Sequence, residues 1–177
     1  MDGYREKIKK KMRFKDFINE SIIDIPRRTY APKVFDDADT KNPKIKASVK
    51  AQIQAQLKEF ESEYPILKTS LIGSILTKRY RNDADLDINI LFDVPTDKQE
   101  LERLRLSKKY LSAKTAGNVQ GKLIPGSEHP INFYFITDKK TYEDQNKKAD
   151  AVFDIETDKF VKRPEDFSFD TGLYVKD

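Results

Sequence analysis

Asp85 and Asp87 stand either side of Leu86, and Gly73-Ser74 precedes them with ten residues between. If Asp85 to Phe92 forms a strand, its side chains alternate between faces. Leu86, Ile88, Ile90 and Phe92 then enter a core, while Asp85, Asp87 and Asn89 share the other face. The two carboxylates would have Cβ atoms about 6 to 7 Å apart on one rigid wall. That separation lets both reach a pair of divalent cations about 3.5 to 4 Å apart, an arrangement suited to in-line phosphoryl or nucleotidyl transfer. Gly73 permits a tight turn and close backbone approach, and Ser74 can open a short helix whose free N–H groups and hydroxyl meet a phosphate.

Two other readings fit the same acids less well. Asp83-x-Asp85-x-Asp87 imitates the start of an EF-hand calcium loop, but the positions that need Gly and Glu hold Ile88 and Val94. Alternatively the pair is the solvated face of an edge strand and Ser74 a plain helix cap.

The elements that must position these residues are legible around them. Tyr4 to Ile23 has a broad apolar stripe and reads as a helix over 4–23, with Lys7 and Lys9 to Lys11 on its polar side. Pro26 to Lys41 reads as a loop. Asn42-Pro43 suits a helix start, the Asn capping and the Pro in the first turn, and Val49, Ile53, Leu57 and Phe60 mark one face as far as Tyr64. Ile66 to Ile72 is a short strand feeding the Gly-Ser turn. Thr96 with Gln99 resembles a capping box for a helix reaching about Ser112. Lys114 to Ser127, with Gly117, Gly121 and Gly126, reads as a long connection or loose hairpin. Pro130 to Thr137 is a strand, Asp138 to Asp150 part helix and part loop, and Ala151 to Ile155 with Lys159 to Val161 a small hairpin; Phe167 to Val175 is an extended tail. One domain over 1–177 is expected, with 151–177 its hairpin and tail.

Composition sets bounds. The chain has 177 residues, 37% hydrophobic and 36% charged, with 34 Lys and Arg against 30 Asp and Glu. That mild basicity is compatible with nucleotide or nucleic-acid partners without demanding them. Without cysteine there are no disulfides and no thiolate chemistry, and His129 is the single histidine, so a histidine-rich metal site is excluded. No signal peptide and no apolar stretch of membrane-spanning length is visible, so the expected home is cytoplasm.

Gly73-Ser74, ten intervening residues and Asp85-Leu86-Asp87, flanked by apolar Leu71, Ile72 and Ile88, resembles the signature of the DNA polymerase β-type nucleotidyltransferase superfamily. With the Ile131-Asn132-Phe133-Tyr134 strand, the chain is also similar to nucleotidyltransferases predicted in tailed bacteriophages. The resemblance implies an α/β or α+β domain with a small mixed sheet bearing helices. It implies metal-dependent transfer of a nucleoside monophosphate from an NTP to an acceptor, which can be an RNA or tRNA end, a protein or a small molecule. Asp85 and Asp87 would hold Mg²⁺ or Mn²⁺, and Gly73 and Ser74 would meet the β and γ phosphates. Lys78 and Arg81, between cradle and acids, are candidates for the triphosphate.

Family members usually carry a third carboxylate on a later strand. By order and length that strand is Ile131 to Ile136, where the position holds Asn132, a neutral oxygen with no charge and no base. Asp154, in Val152-Phe153-Asp154-Ile155, is the other candidate third metal ligand, with acids such as Glu128 behind it. Two rivals follow: a nucleotide-binding pseudoenzyme acting through a partner, favoured by Asn132, and a nucleic-acid-binding module using Lys9, Lys10, Lys78, Arg79 and Arg81. His129 can contact a nucleotide or act as a structural residue. Phe133, Tyr134 and Phe135 can supply a stacking ring, with core packing the better account.

Overall fold

The alternation in β4, Leu86–Phe92, sets the architecture: Leu86, Ile88, Ile90 and Phe92 are fully or almost fully buried on one face of a sheet. The computed structural model describes residues 27–110 and 118–164, with backbone alone for 118–122. The expected helix over 4–23, its lysines and the tail at 167–175 lie outside the described residues.

Six strands form a mixed sheet in the order β5 (Asn118–Leu123), β6 (Pro130–Ile136), β4, β3 (Ile66–Ile72), β7 (Val152–Asp154), β8 (Lys159–Lys162). Only β4 and β6 run parallel; every other neighbouring pair is antiparallel. A separate two-residue ribbon pairs β1 (Phe35–Asp36) with β2 (Lys44–Ile45). The mixed sheet and its helices agree with the expected fold class.

Helices α1 (Ala47–Phe60) and α2 (Gln99–Tyr110) contribute Val49, Ile53, Phe60 and Leu106 to the core beneath Leu71, Ile88, Ile131 and Phe133. Phe60 is the hinge of this packing, meeting Phe133, Phe135 and Tyr110 edge-on at centroid distances of 5.2, 5.0 and 5.1 Å. Phe133 and Phe135 are therefore core residues. Helix α3 (Lys139–Lys148) is capped by the Asp138 carboxylate, which accepts from Thr141 N–H at 2.7 Å. It lies on the opposite face, where Tyr142 packs with Leu91 and Ile136.

Two local expectations need correction, and a third, the loop or loose hairpin before residue 127, resolves to its hairpin alternative. α1 begins at Ala47 rather than at Asn42-Pro43, because Ile45 is drawn into the β1–β2 ribbon and buried there. Asn42 instead accepts from the Arg163 guanidinium at 2.6 Å. Thr96 opens a 3-10 turn, and Gln99 reaches back to the Val94 carbonyl at 3.4 Å, so no capping box closes. The glycine-rich stretch before residue 127 carries β5, which pairs with β6 at the sheet edge through a register irregularity between Gln120 and Leu123. An edge strand tolerates glycine where a bulge relieves the ladder. No helix among the described residues is long and apolar enough to cross a membrane.

Candidate active site

The face of β4 opposite the core begins open and ends covered. Asp85, just before the strand, is exposed and Asp87 is half-buried, while Asn89 and Leu91 further along lie under α3. Beneath that cover Asn146 Oδ1 accepts from Ser70 Oγ at 3.1 Å and from Asn89 Nδ2 at 3.2 Å. The carboxylates thus occupy the one end of this face that α3 leaves free.

Three elements converge on Asp87. β3 delivers Ile72 opposite it, and the chain then turns at Gly73 (φ 98°, ψ −179°) into a 3-10 helix, Ser74–Leu76. That conformation is essentially confined to glycine. A Cβ at residue 73 would also lie 3.1 Å from Asp87 Oδ2. The turn closes through Leu76 N–H to the Gly73 carbonyl and Thr77 N–H to the Ser74 carbonyl, at 3.2 and 2.9 Å. The amides at the start of such a turn have no partner within it. Ser74 is exposed beside them.

β6 is the third element. Its parallel register sets Asn132 level with Asp87 and Tyr134 level with Asn89. Asn132 Nδ2 donates to Asp85 Oδ2 at 2.7 Å, and the Tyr134 hydroxyl donates to Asp87 Oδ1 at 3.3 Å. Burial raises the Asp87 pKa above its ordinary value and the Asp85 charge raises it further, against opposing hydrogen bonds from Asn132 and Tyr134. Burial and then the Asp87 carboxylate push the Tyr134 phenol up to about 12, so it stays a neutral donor. Among the described residues, neither Asp85 nor Asp87 forms an ion pair with a lysine, arginine or histidine.

The approach to Asp85 is held by residues buried below it. His129, 4% exposed, has Nδ1 2.8 Å from the Ala84 carbonyl. A carbonyl only accepts, so Nδ1 carries the proton, and His129 is a structural anchor for the residue preceding Asp85. Arg27 donates from Nε to the Tyr80 carbonyl at 3.0 Å and from Nη2 to Asn82 Oδ1 at 2.6 Å, with its guanidinium 4.3 Å from the Tyr80 ring centre. It clamps the segment joining the Gly-Ser turn to the acidic strand. Nothing in the sequence around Arg27 marks it out; its role depends on contacts more than fifty residues away.

The structure separates the remaining candidates. Lys78 has its ammonium 5.8 Å from the Tyr30 ring centre. Arg81 forms an exposed pair with Asp83 at 3.2 Å, of the kind readily exchanged for another anion. Asp154 shares the face of Asp87 but lies opposite Ser70, on the far side of β3 from β4. Two inter-strand steps put its Cα about 10 Å from β4, with a further offset of two residues along the strand. Its Oδ1 accepts the amides of Glu156 and Thr157 at 2.9 and 3.0 Å, closing the β7–β8 turn. Asp85, Asp87, Gly73, Ser74 and Asn132 are brought together, and Asp154 is not.

A family model described as a nucleotidyltransferase domain matches residues 53–174, a span that takes in the whole six-stranded sheet and every residue around Asp87 named above except Arg27. The match carries no indication of a bacteriophage source. No curated protein and no solved structure matches the chain.

Proposed function

The chain belongs to the nucleotidyltransferase domain family, and from that premise we propose that it binds a nucleoside triphosphate with Mg²⁺ or Mn²⁺ at Asp85 and Asp87 and transfers the nucleoside monophosphate to an acceptor. The observation that carries this reading is the uncompensated carboxylate pair: two adjacent acids, one pushed up by burial and by its neighbour, with no cationic side chain paired to either among the described residues. Such a pair stores repulsion that a divalent cation relieves. The residues present therefore fit a hard cation bound through oxygen.

When bound, the cation would polarise the phosphoryl group and neutralise charge developing on the leaving phosphates. Asp85 and Asp87 would hold it. Tyr134 keeps Asp87 oriented by its hydrogen bond, and His129 keeps the Ala84 carbonyl, and hence Asp85, in place. Gly73 lets the backbone pass close to Asp87, and the first amides of the turn with Ser74 would receive phosphate oxygens. Arg81, exposed on the same connecting segment, can leave Asp83 for the triphosphate.

A second reading is favoured by one observation, the amide at residue 132 where a third acid would sit level with Asp87. It is nucleotide binding with little or no transfer. Calorimetric titration of the four NTPs with and without Mg²⁺, beside an Asp85→Ala, Asp87→Ala double variant, tests the binding. Metal-dependent affinity lost in the variant supports the site; absence of binding by the native chain sinks both readings. Incubation with α-labelled NTP and candidate RNA or protein acceptors then separates transfer from binding alone.

A further inference from the structure

We propose that this site takes one divalent cation per bound nucleotide, and that Asn132 sets that number. The inference rests on the proposed nucleotide site and concerns how many cations its donor set can hold.

On β6, Asn132 is level with Asp87 and bonded to Asp85. Its orientation follows from its neighbours, because an amide oxygen turned towards a carboxylate would meet like charge. The NH₂ group therefore faces Asp85 and occupies Oδ2 at 2.7 Å, an oxygen lone pair that is then not free for a cation. Turning the amide over would break that bond and still bring no negative charge.

Among the described residues no cluster of acids makes up the deficit, and there is no group of three or more His, Cys, Asp or Glu able to hold a metal ion. Asp154 is two strands from β4, and its Oδ1 is engaged by two turn amides. Two divalent cations about 3.5 to 4 Å apart repel each other strongly and are held by carboxylates that bridge and flank them. Asp85, Asp87 and the triphosphate would together hold one cation; a second would need a further anionic side chain, and residue 132 supplies a neutral amide instead.

The remaining atom of the amide fits this assignment. Asn132 is 4% exposed, and its Oδ1 is buried with no hydrogen-bond partner. An amide oxygen accepts hydrogen bonds but carries neither a negative charge nor a base, so it supplies nothing that a second cation requires.

The test is native mass spectrometry of the full chain with Mn²⁺ and α,β-methylene-ATP, whose bridging carbon blocks transfer, read beside the Mn²⁺ electron paramagnetic resonance spectrum. The native chain should give a complex of one protein, one nucleotide and one Mn²⁺, with no Mn²⁺–Mn²⁺ coupling. Asn132→Asp should give two Mn²⁺ with resolved coupling. An Asp85→Asn, Asp87→Asn double variant sets the background of non-specific adducts. Two coupled Mn²⁺ on the native chain overturn the inference while leaving the proposed function intact, and so does a single Mn²⁺ on a folded Asn132→Asp chain. Failure of the native chain to retain nucleotide or Mn²⁺ at all overturns the proposed function, and the inference with it. The native count decides the stoichiometry even if Asn132→Asp does not fold.

Discussion

A Cβ on Gly73 would lie 3.1 Å from the Asp87 carboxylate oxygen, so the turn after β3 and the acid on β4 are packed against each other through the absence of a side chain. Backbone conformation and close approach demand glycine independently, since φ at Gly73 is 98°. Gly73→Ala should cost about 1 to 3 kcal/mol for the backbone conformation alone. The methyl should also push Asp87 aside, weakening Mg²⁺-dependent nucleotide binding beyond the loss of stability. Thermal unfolding of the apo chain and calorimetry of the loaded one separate the two effects. Reduced stability with undiminished binding would mean that the turn does not form part of the site.

Asp87 carries opposite demands from folding and from binding. Burial first, and then the Asp85 charge, raise its pKa in the folded chain. A carboxyl with a raised folded pKa contributes stability that is complete below its unfolded value, 3.8, and is lost as pH rises through the folded value. At pH 7 the ionised group therefore opposes folding. Asp87→Asn should raise the melting temperature of the apo chain at pH 7, with the gain fading below about pH 4. The same change should lower affinity for Mg²⁺ with nucleotide by more than about tenfold. Melting curves across pH 3 to 8 check the first part; an apo variant less stable than the native chain at pH 7 would contradict it.

His129 acts on Asp85 through the backbone. Its buried Nδ1 donates to the Ala84 carbonyl at 2.8 Å, and leaving that carbonyl unpaired costs about 1 to 3 kcal/mol. His129→Phe keeps a ring against Tyr80 but has no donor, whereas His129→Gln retains one. Both stability and nucleotide affinity should fall in the Phe variant and recover in part in the Gln variant. Equal loss of affinity in the two would point to direct contact between the imidazole and the ligand.

The architecture was readable wherever alternation and apolar runs coincide with register. Leu86, Ile88, Ile90 and Phe92 announce the core face of β4, and Ile131, Phe133 and Phe135 that of β6, because a strand half-buried at every second residue has few other ways to lie. The β1–β2 ribbon was hidden, since two-residue strands carry no period and Asn42-Pro43 imitates a helix start. β5 was legible only as one of two alternatives, a long connection or a loose hairpin, because glycine fits either until the partner strand is known. Asn132 and Asp154 present the same local picture, a polar residue between apolar neighbours on a strand. Only strand order distinguishes them: β6 is adjacent to β4, and β7 is beyond β3. Tyr134 and Arg27 act over long sequence separations, and no local pattern predicts their partners.

Glu63 gives the clearest prediction away from the site. It follows α1 and joins that end of the core to α2 by accepting from Lys109, from Arg105 at 2.9 Å and from the Tyr110 hydroxyl at 2.9 Å, with its side chain 10% exposed. The Lys109 bond first, then those from Arg105 and Tyr110, lower its pKa from 4.5 to about 2. A depressed carboxyl contributes stability that is present above its unfolded value and lost as pH falls through the folded one, here between about pH 4.5 and pH 2. Arg105 and Lys109 are 43% and 53% exposed, so water screens the cluster. Its contribution at pH 7 is about 1 to 2 kcal/mol, less than the shift alone would give. Glu63→Gln should lose that amount at pH 7 and converge with the native chain near pH 2. Nucleotide affinity should not change, because no residue of the cluster touches Asp85, Asp87 or the Gly73 turn. Denaturant titrations at pH 7, 4 and 2.5 measure the convergence, and a stability difference independent of pH would show that the cluster acts through packing rather than charge.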